Sequence, residues 1–315
     1  MQKILAKKDL NKFLGSLIEK YELVAPVKEE NTKFKIIKDP KDVYLDFLTL
    51  VPVKKSFIPE HEEIFSYKNG KIIVKDNRIK PRVIFGLRKC DINALQVLDR
   101  VMPDPMFIDK RKNSILIGLY CDKPDKYCFC ESMELNEEGY DLFFYPFNKD
   151  YYISVGTKRG EDLVKNLPKA KKELILKYKN YKSLKDKDIE RNYKNKIWES
   201  DSDKCLSCSA CTIYCPTCNC FDIKDKLDIN LKDGVRTRHE MSCQLKSFSR
   251  VAGGKSYRDS RLSRFKHFVY HKIVYYKKRY NRYMCVGCGR CLRVCPTKID
   301  WVETINILKS IERKK

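Results

Sequence analysis

Fifteen cysteines stand in this 315-residue chain, and eight of them fall into two identical frames. The first is Cys205-x2-Cys208-x2-Cys211-x3-Cys215-Pro216; the second is Cys285-x2-Cys288-x2-Cys291-x3-Cys295-Pro296. Two-residue spacers let a backbone wrap an inorganic cubane and aim three sulfurs inward, and the proline turns the chain away after the fourth. This is the bacterial ferredoxin run, in which the fourth cysteine of each frame ligates the other cluster. The pattern assigns one [4Fe–4S] cluster to Cys205, Cys208, Cys211 and Cys295, and a second to Cys215, Cys285, Cys288 and Cys291. A zinc site needs only four ligands, usually from two pairs. Cys211-x3-Cys215-x2-Cys218 has the radical-SAM spacing, but the ferredoxin frame accounts for two of these thiols and the domain is too short for such a barrel.

Four further cysteines lie early in the chain: Cys90, Cys121, Cys128 and Cys130. Cys90 follows the apolar run "RVIFGL" and Cys121 ends "SILIGLY". If these are parallel strands joined by a helix, both thiols emerge at one sheet edge, where open α/β sheets gather their ligand sites. A helix N-terminus with Arg88 and Lys89 beside it favours a thiolate at Cys90. The expectation is a third [4Fe–4S] cluster on these four; a zinc ion, or thiols that merely pack, are the alternatives. Cys218, Cys220 and Cys243 are left over. They read as packing thiols, with a Cys3His zinc site including His239 as the alternative.

The elements that must position these sulfurs follow from periodicity. "DLNKFLGSLIEKY" carries apolar residues at helical spacing behind Asp9, a plausible N-cap. "IFSYKNGKIIVK" is a hairpin turning at Asn69-Gly70, and "YDLFFYPFNKDYYISVG" is another. "DINALQVLDRV" is a helix that Asp91 can cap. The fold expected is an α+β or α/β domain over 1–165, a Lys-rich helical connector over 166–200, and an α-helical ferredoxin domain with two [4Fe–4S] clusters over 201–315. The ferredoxin domain is expected to be helical because 70 positions separate Cys215 from Cys285, and this insert contains "SRLSRFKHFVYHKIVYYKKRY". There Arg258, Arg261 and Arg264 recur every third residue, either as a solvated basic face or as one that acts on a cluster or a partner.

Composition narrows the class. No signal-type apolar stretch opens the chain, and charges break every apolar run before spanning length. A cytoplasmic protein with no membrane span is expected, and its thiols are then for metal rather than disulfides. The net charge of +24 is spread over the whole chain. Thiolate-bound clusters offset part of it, roughly −2 each. No nucleic-acid reader motif, P-loop or G-x-G-x-x-G is present, so neither nucleic acid nor a dinucleotide held in that way is expected.

The stretches "VPVKKSFIPEHEEIF", "FGLRKCDINALQVLD", "GLYCDKPDKYCFCESM", "YCPTCNCFDI", "GVRTR", "RFKHFVYHK" and "MCVGCGRCLRVCP" occur in an order that covers nearly the whole chain. With them it resembles the iron–sulfur electron-transfer subunits of anaerobic sulfite reductase and of cytoplasmic sulfhydrogenases, in the latter the beta subunit. The tryptophan usual near Ser242-Cys243 is missing, since the run reads "RTRHEMSC". The resemblance implies a relay of single electrons from a flavin-containing NAD(P)H-type reductase subunit to a hydrogenase or sulfite reductase catalytic subunit. Direct reduction of a small sulfur compound at the N-terminal cysteines and nucleic-acid binding are the competing classes.

Overall fold

The computed structural model describes residues 2–74, 80–177 and 179–312. In chain order its strands are β1 (Gln2–Ala6), β2 (Glu22–Lys28), β3 (Thr32–Ile36), β4 (His61–Lys68), β5 (Lys71–Ile73), β6 (Arg82–Leu87), β7 (Ser114–Leu119), β8 (Leu142–Phe147), β9 (Asp150–Val155), β10 (Phe221–Leu227) and β11 (Gly234–Glu240). The chain divides into two compact units, neither continuous in sequence. One comprises 1–57, 79–183 and 286–289; the other comprises 58–78, 184–285 and 290–315.

The first unit is built on a seven-stranded mixed sheet in the order β1-β9-β8-β7-β6-β2-β3. Its centre is parallel, β2 to β6 to β7 to β8. Both β6 and β7 are apolar along their length because both of their faces are covered. Phe85, Ile117, Phe144 and Ile153 are fully buried in the core on one face, together with Leu14 and Leu17 of helix α1 (Leu10–Ile18). Helices α2 (Lys89–Val101) and α3 (Pro105–Lys112) cross from β6 to β7, as the crossover between parallel strands requires. Helix α4 (Lys158–Val164) follows β9, capped by the Thr157 side chain. Asp91 accepts from the Arg88 backbone N–H at 3.2 Å and closes the start of α2. Asp9 makes no capping bond, because a 3-10 turn at Lys7–Asp9 already leads into α1.

The second unit joins helices to a four-stranded antiparallel sheet, β10-β11-β4-β5. The β4–β5 hairpin turns on Asn69 (φ 49°) and Gly70 (φ 71°), the two positive φ values a tight hairpin needs. Lys75, the end of that expected hairpin, lies outside the described residues. Its helices are α5 (Ile197–Lys204), α6 (Ala210–Ile213), α7 (Arg261–Tyr270), α8 (Tyr276–Tyr280), α9 (Arg290–Arg293) and α10 (Trp301–Glu312). A π-turn at His271–Tyr275 links α7 to α8.

Two expectations are corrected. The ferredoxin region is not purely helical: "FDIKDKL" and "GVRTRHE" pair as β10 and β11, in register from Phe221–Glu240 to Leu227–Gly234. Alternation of apolar and polar residues outweighs the helical character of the rest of the insert. The Lys-rich connector is not a helix from 166 either. Among its described residues, regular turns form only at Glu190–Asn192 and from Ile197 onward. Lysines three and four apart repel on a helix, and Pro168 lacks the N–H a helix interior uses. No helix among the described residues is long and apolar enough to cross a membrane.

Candidate iron–sulfur centres

In the second unit, Cys205, Cys208, Cys211 and Cys295 line one cavity with an empty volume of about 500 Å3, part of it open to solvent. Its walls are apolar, with Leu206, Phe265, Phe268, Pro296, Ile299 and Trp301 among them. Burial, then the sulfurs of Cys205, Cys208 and Cys215, push the Cys211 thiol well above its ordinary range. Sulfurs this close resist becoming thiolates together unless a cationic core joins them, which is what iron supplies. The donor set and the cavity fit a cubane. Among the described residues no three His, Cys, Asp or Glu side chains are set to hold a single metal ion.

The loops that present these sulfurs are held by named bonds. Ser207 (φ 52°) and Ser209 (φ 70°) take left-handed backbone, which curls the chain around the cavity. The N–H groups of Ser207 and Ile299 point at the sulfurs of Cys205 and Cys295, each at 3.4 Å. Arg261 donates to the Cys205 carbonyl at 3.1 Å. Arg264, only 6% exposed, donates to the Gln244 carbonyl at 2.8 Å and to Ser207 Oγ at 3.4 Å. Two of the three arginines therefore brace the first cysteine loop, Arg264 from a buried position and Arg261 from an exposed one. Trp301 Nε1–H donates to Cys291 Sγ at 3.5 Å, and Cys291 reaches the same cavity wall.

Cys215 and Cys285, both expected in the second cluster, are brought to one side chain. The Lys272 ammonium, 3% exposed, lies 3.2 Å from Cys215 Sγ. Burial alone would push this lysine down, but the sulfurs of Cys215, Cys218 and Cys285 outweigh it and hold it well above the usual range. Cys218 hydrogen-bonds Cys215, and Cys243 hydrogen-bonds Cys220; both Cys218 and Cys243 are pushed up. Of the leftover thiols, Cys218 thus sits against an expected ligand, and Cys243 pairs with Cys220.

Cys288 is described with the first unit, where it is buried in one apolar group with Leu48, Cys90, Ala94, Cys128 and Val286. Cys128 Sγ donates to the Cys288 carbonyl at 3.5 Å. Gly287 (φ 64°) and Gly289 (φ 71°) permit this approach. A Cβ on Gly287 would stand 2.6 Å from the Cys130 backbone, and one on Gly289 would stand 2.5 Å from the Tyr127 carbonyl. Burial, then the sulfurs of Cys288, Cys130 and Cys121, push Cys128 far up. Burial raises Cys130 to about 11 against a hydrogen bond from Asn180 that favours its thiolate. Burial also raises Cys121, against the positive charge of Arg88. Arg88 is itself fixed by the Tyr120 carbonyl at 2.6 Å and the Leu45 carbonyl at 2.5 Å. Cys128 therefore shares one apolar group with Cys90 and is acted on by the sulfurs of Cys130 and Cys121.

Two features escaped the sequence reading. Both frames continue Cys-Pro-Thr, and in both the threonine hydroxyl meets the cysteine sulfur: Thr217 at 3.2 Å from Cys215, Thr297 at 3.5 Å from Cys295. The repeated triplet was a signal available in the sequence. Lys272 had none, being one of many lysines and 57 positions from Cys215.

Residues 204–299 match a family described as 4Fe-4S dicluster domain. The chain is 30% identical over 320 residues to sulfhydrogenase 2 subunit beta of Pyrococcus furiosus, an alignment covering 93% of this chain and 94% of that protein. No solved structure matches.

Proposed function

We propose that this chain, which belongs to the sulfhydrogenase beta-subunit family, passes single electrons in the cytoplasm between two partners. One is a flavin-containing NAD(P)H-type reductase subunit; the other is a catalytic subunit of hydrogenase or sulfite-reducing type. The observation that carries the reading is the arrival of Cys295 in the cavity of Cys205, Cys208 and Cys211 from ninety positions away. It supports the crossed ligation of a two-cluster ferredoxin, in which Cys215, Cys285, Cys288 and Cys291 hold the second cluster. Each cluster supplies a one-electron couple when bound. The residues of this chain set its surroundings: Phe265, Phe268 and Trp301 limit water, and the backbone N–H groups of Ser207 and Ile299 temper the charge on sulfur.

A third cluster on Cys90, Cys121, Cys128 and Cys130 extends the relay into the first unit. The grouping of Cys90 with Cys128, the action of Cys130 and Cys121 on Cys128, and the fixed Arg88 charge support it. Cys90 and Cys128 are 6% and 4% exposed, which favours a buried relay centre over one that reduces a small sulfur compound directly. Leu227, Ile229 and Leu231 are 55%, 103% and 74% exposed beside the sheet of the second unit, an apolar patch suited to another protein of the complex. The test is iron and acid-labile sulfide on anaerobically prepared chain, with co-purification from the native host. About twelve irons per chain is the expectation for three cubanes, and about eight removes the third. Co-purification with a flavoprotein and a hydrogenase or sirohaem protein is expected; a chain that purifies alone overturns the partner reading.

A further inference from the structure

Lys272 combines three observations. Its ammonium has three N–H donors, and three acceptors surround it: Cys215 Sγ at 3.2 Å, Cys218 Sγ at 3.2 Å and Thr217 Oγ1 at 3.4 Å. The Phe268 ring, 5.2 Å from Nζ, adds an aromatic face to this setting. The residue also sits in the π-turn. The Tyr276 N–H donates to the His271 carbonyl, one residue beyond α spacing. The Lys272 carbonyl instead accepts from the Met284 N–H at 3.0 Å and from the Cys285 N–H at 3.4 Å. One residue therefore ties the backbone at the start of the second frame to the last sulfur of the first. π-turns of this kind are frequent at functional positions.

A buried charge costs several kcal/mol unless an opposite charge compensates it. The acceptors are a hydroxyl and two sulfurs, so the compensating charge is that of the thiolate-bound cluster. Each added electron makes that cluster more negative, and a fixed cation beside a ligand sulfur stabilises the reduced state more than the oxidised one. At the other frame Cys295 meets only neutral donors in the contacts described: the Ile299 N–H and the Thr297 hydroxyl.

We propose that Lys272 sets the potential of the cluster held through Cys215, making it the more readily reduced of the two ferredoxin-type centres. The proposal rests on the reading that Cys215 is a cluster ligand. Lys272 is a positioning residue and takes no part in bond making.

The experiment is a redox titration of the full chain, prepared anaerobically and followed by electron paramagnetic resonance, with iron counted on every sample. Cys215→Ser tests the underlying reading alone: if both wild-type signals persist in it, the ligand assignment fails, whatever Lys272 does. With that reading intact, Lys272→Met is expected to move one centre to more negative potential. The expected shift changes its reduced-to-oxidised ratio at least tenfold at a fixed potential, about 59 mV for one electron. The other centre should move less than threefold. Lys272→Arg keeps the charge and should hold both centres within threefold of wild type. Loss of the Cys215-side cluster from the methionine variant, with full loading in the arginine variant, shows the same dependence on charge and supports the proposal. Any one of four results overturns it: unmoved potentials in a loaded methionine variant, equal movement of both centres, an arginine variant that shifts like methionine, or loss of the cluster from both variants.

Discussion

The two cysteine frames share one local design and differ in what surrounds it. Position two of the first spacer, Ser207 or Gly287, takes left-handed backbone, and so does position one of the second, Ser209 or Gly289. The same curl thus follows from the same spacing with different residues. In the first frame serine tolerates the strain in a loop that Arg261 and Arg264 brace from behind. In the second frame glycine is required by contact as well as conformation, because the Cys130 and Tyr127 backbones leave no room for a Cβ. The sulfurs differ too: Cys215 meets a buried ammonium, while Cys295 meets a peptide N–H and a hydroxyl. Spacing makes a cluster site, and the packing around it makes one site unlike another.

The strongest way to break this comparison is to remove the crossing ligands. Cys295→Ser and Cys215→Ser should each lose about four irons per chain and abolish a different one of the two reduced-state signals. Iron analysis with magnetic spectra checks this: Cys295→Ser should abolish the same signal as Cys208→Ser, and loss instead of the signal that Cys288→Ser abolishes would show that the frames do not cross. Next is the glycine. Gly287→Ala should destabilise the chain by about 2–4 kcal/mol, joining overpacking to left-handed strain. Ser207→Gly should change stability by less than about 1 kcal/mol and in the favourable direction. Denaturant midpoints compare the two, and equal costs would dissolve the distinction.

A smaller effect concerns pH. His267 and His271 stack with ring centroids 5.2 Å apart on the helix that carries Lys272. Burial, with the nearby positive charges of Arg258 and Lys272, lowers each to about 4. An unfolded chain takes up these protons near pH 6.5, so below that value it binds more protons than the folded one. Their contribution to stability is complete above about pH 6.5 and is lost as pH falls towards 4. Thermal midpoints of His267→Phe should depend less on pH across that window than those of the wild type. The smallest effect is expected from the threonines. Thr217→Val and Thr297→Val should each cost about 0.5–1.5 kcal/mol, with Thr217→Val the larger because Lys272 also loses an acceptor.

Much of this was legible in the chain. The parallel strands β6 and β7 declared themselves as short apolar runs, and the Asn69-Gly70 turn as a dipeptide that accepts positive φ. The sulfurs of the first cavity were readable because ligand spacing along a loop is a local property, and Cys295 followed from the symmetry of the repeat. The β10–β11 hairpin was hidden within an insert whose other half is strongly helical. Its pairing with β4 joins residues 61–67 to 234–239, a separation that no local pattern announces. The connector differs from expectation for the opposite reason: its local pattern suggests a helix that packing does not support.

The sequence by itself determined the two cysteine frames, since each is a few residues long and is defined by spacer length and by the proline that ends it. Tertiary structure alone decided the electrostatics around them. Which of 66 lysines and arginines lies against a sulfur depends on how α7, its π-turn and α8 pack. Charge acts through space at a few ångströms, and distance along the chain carries no record of it.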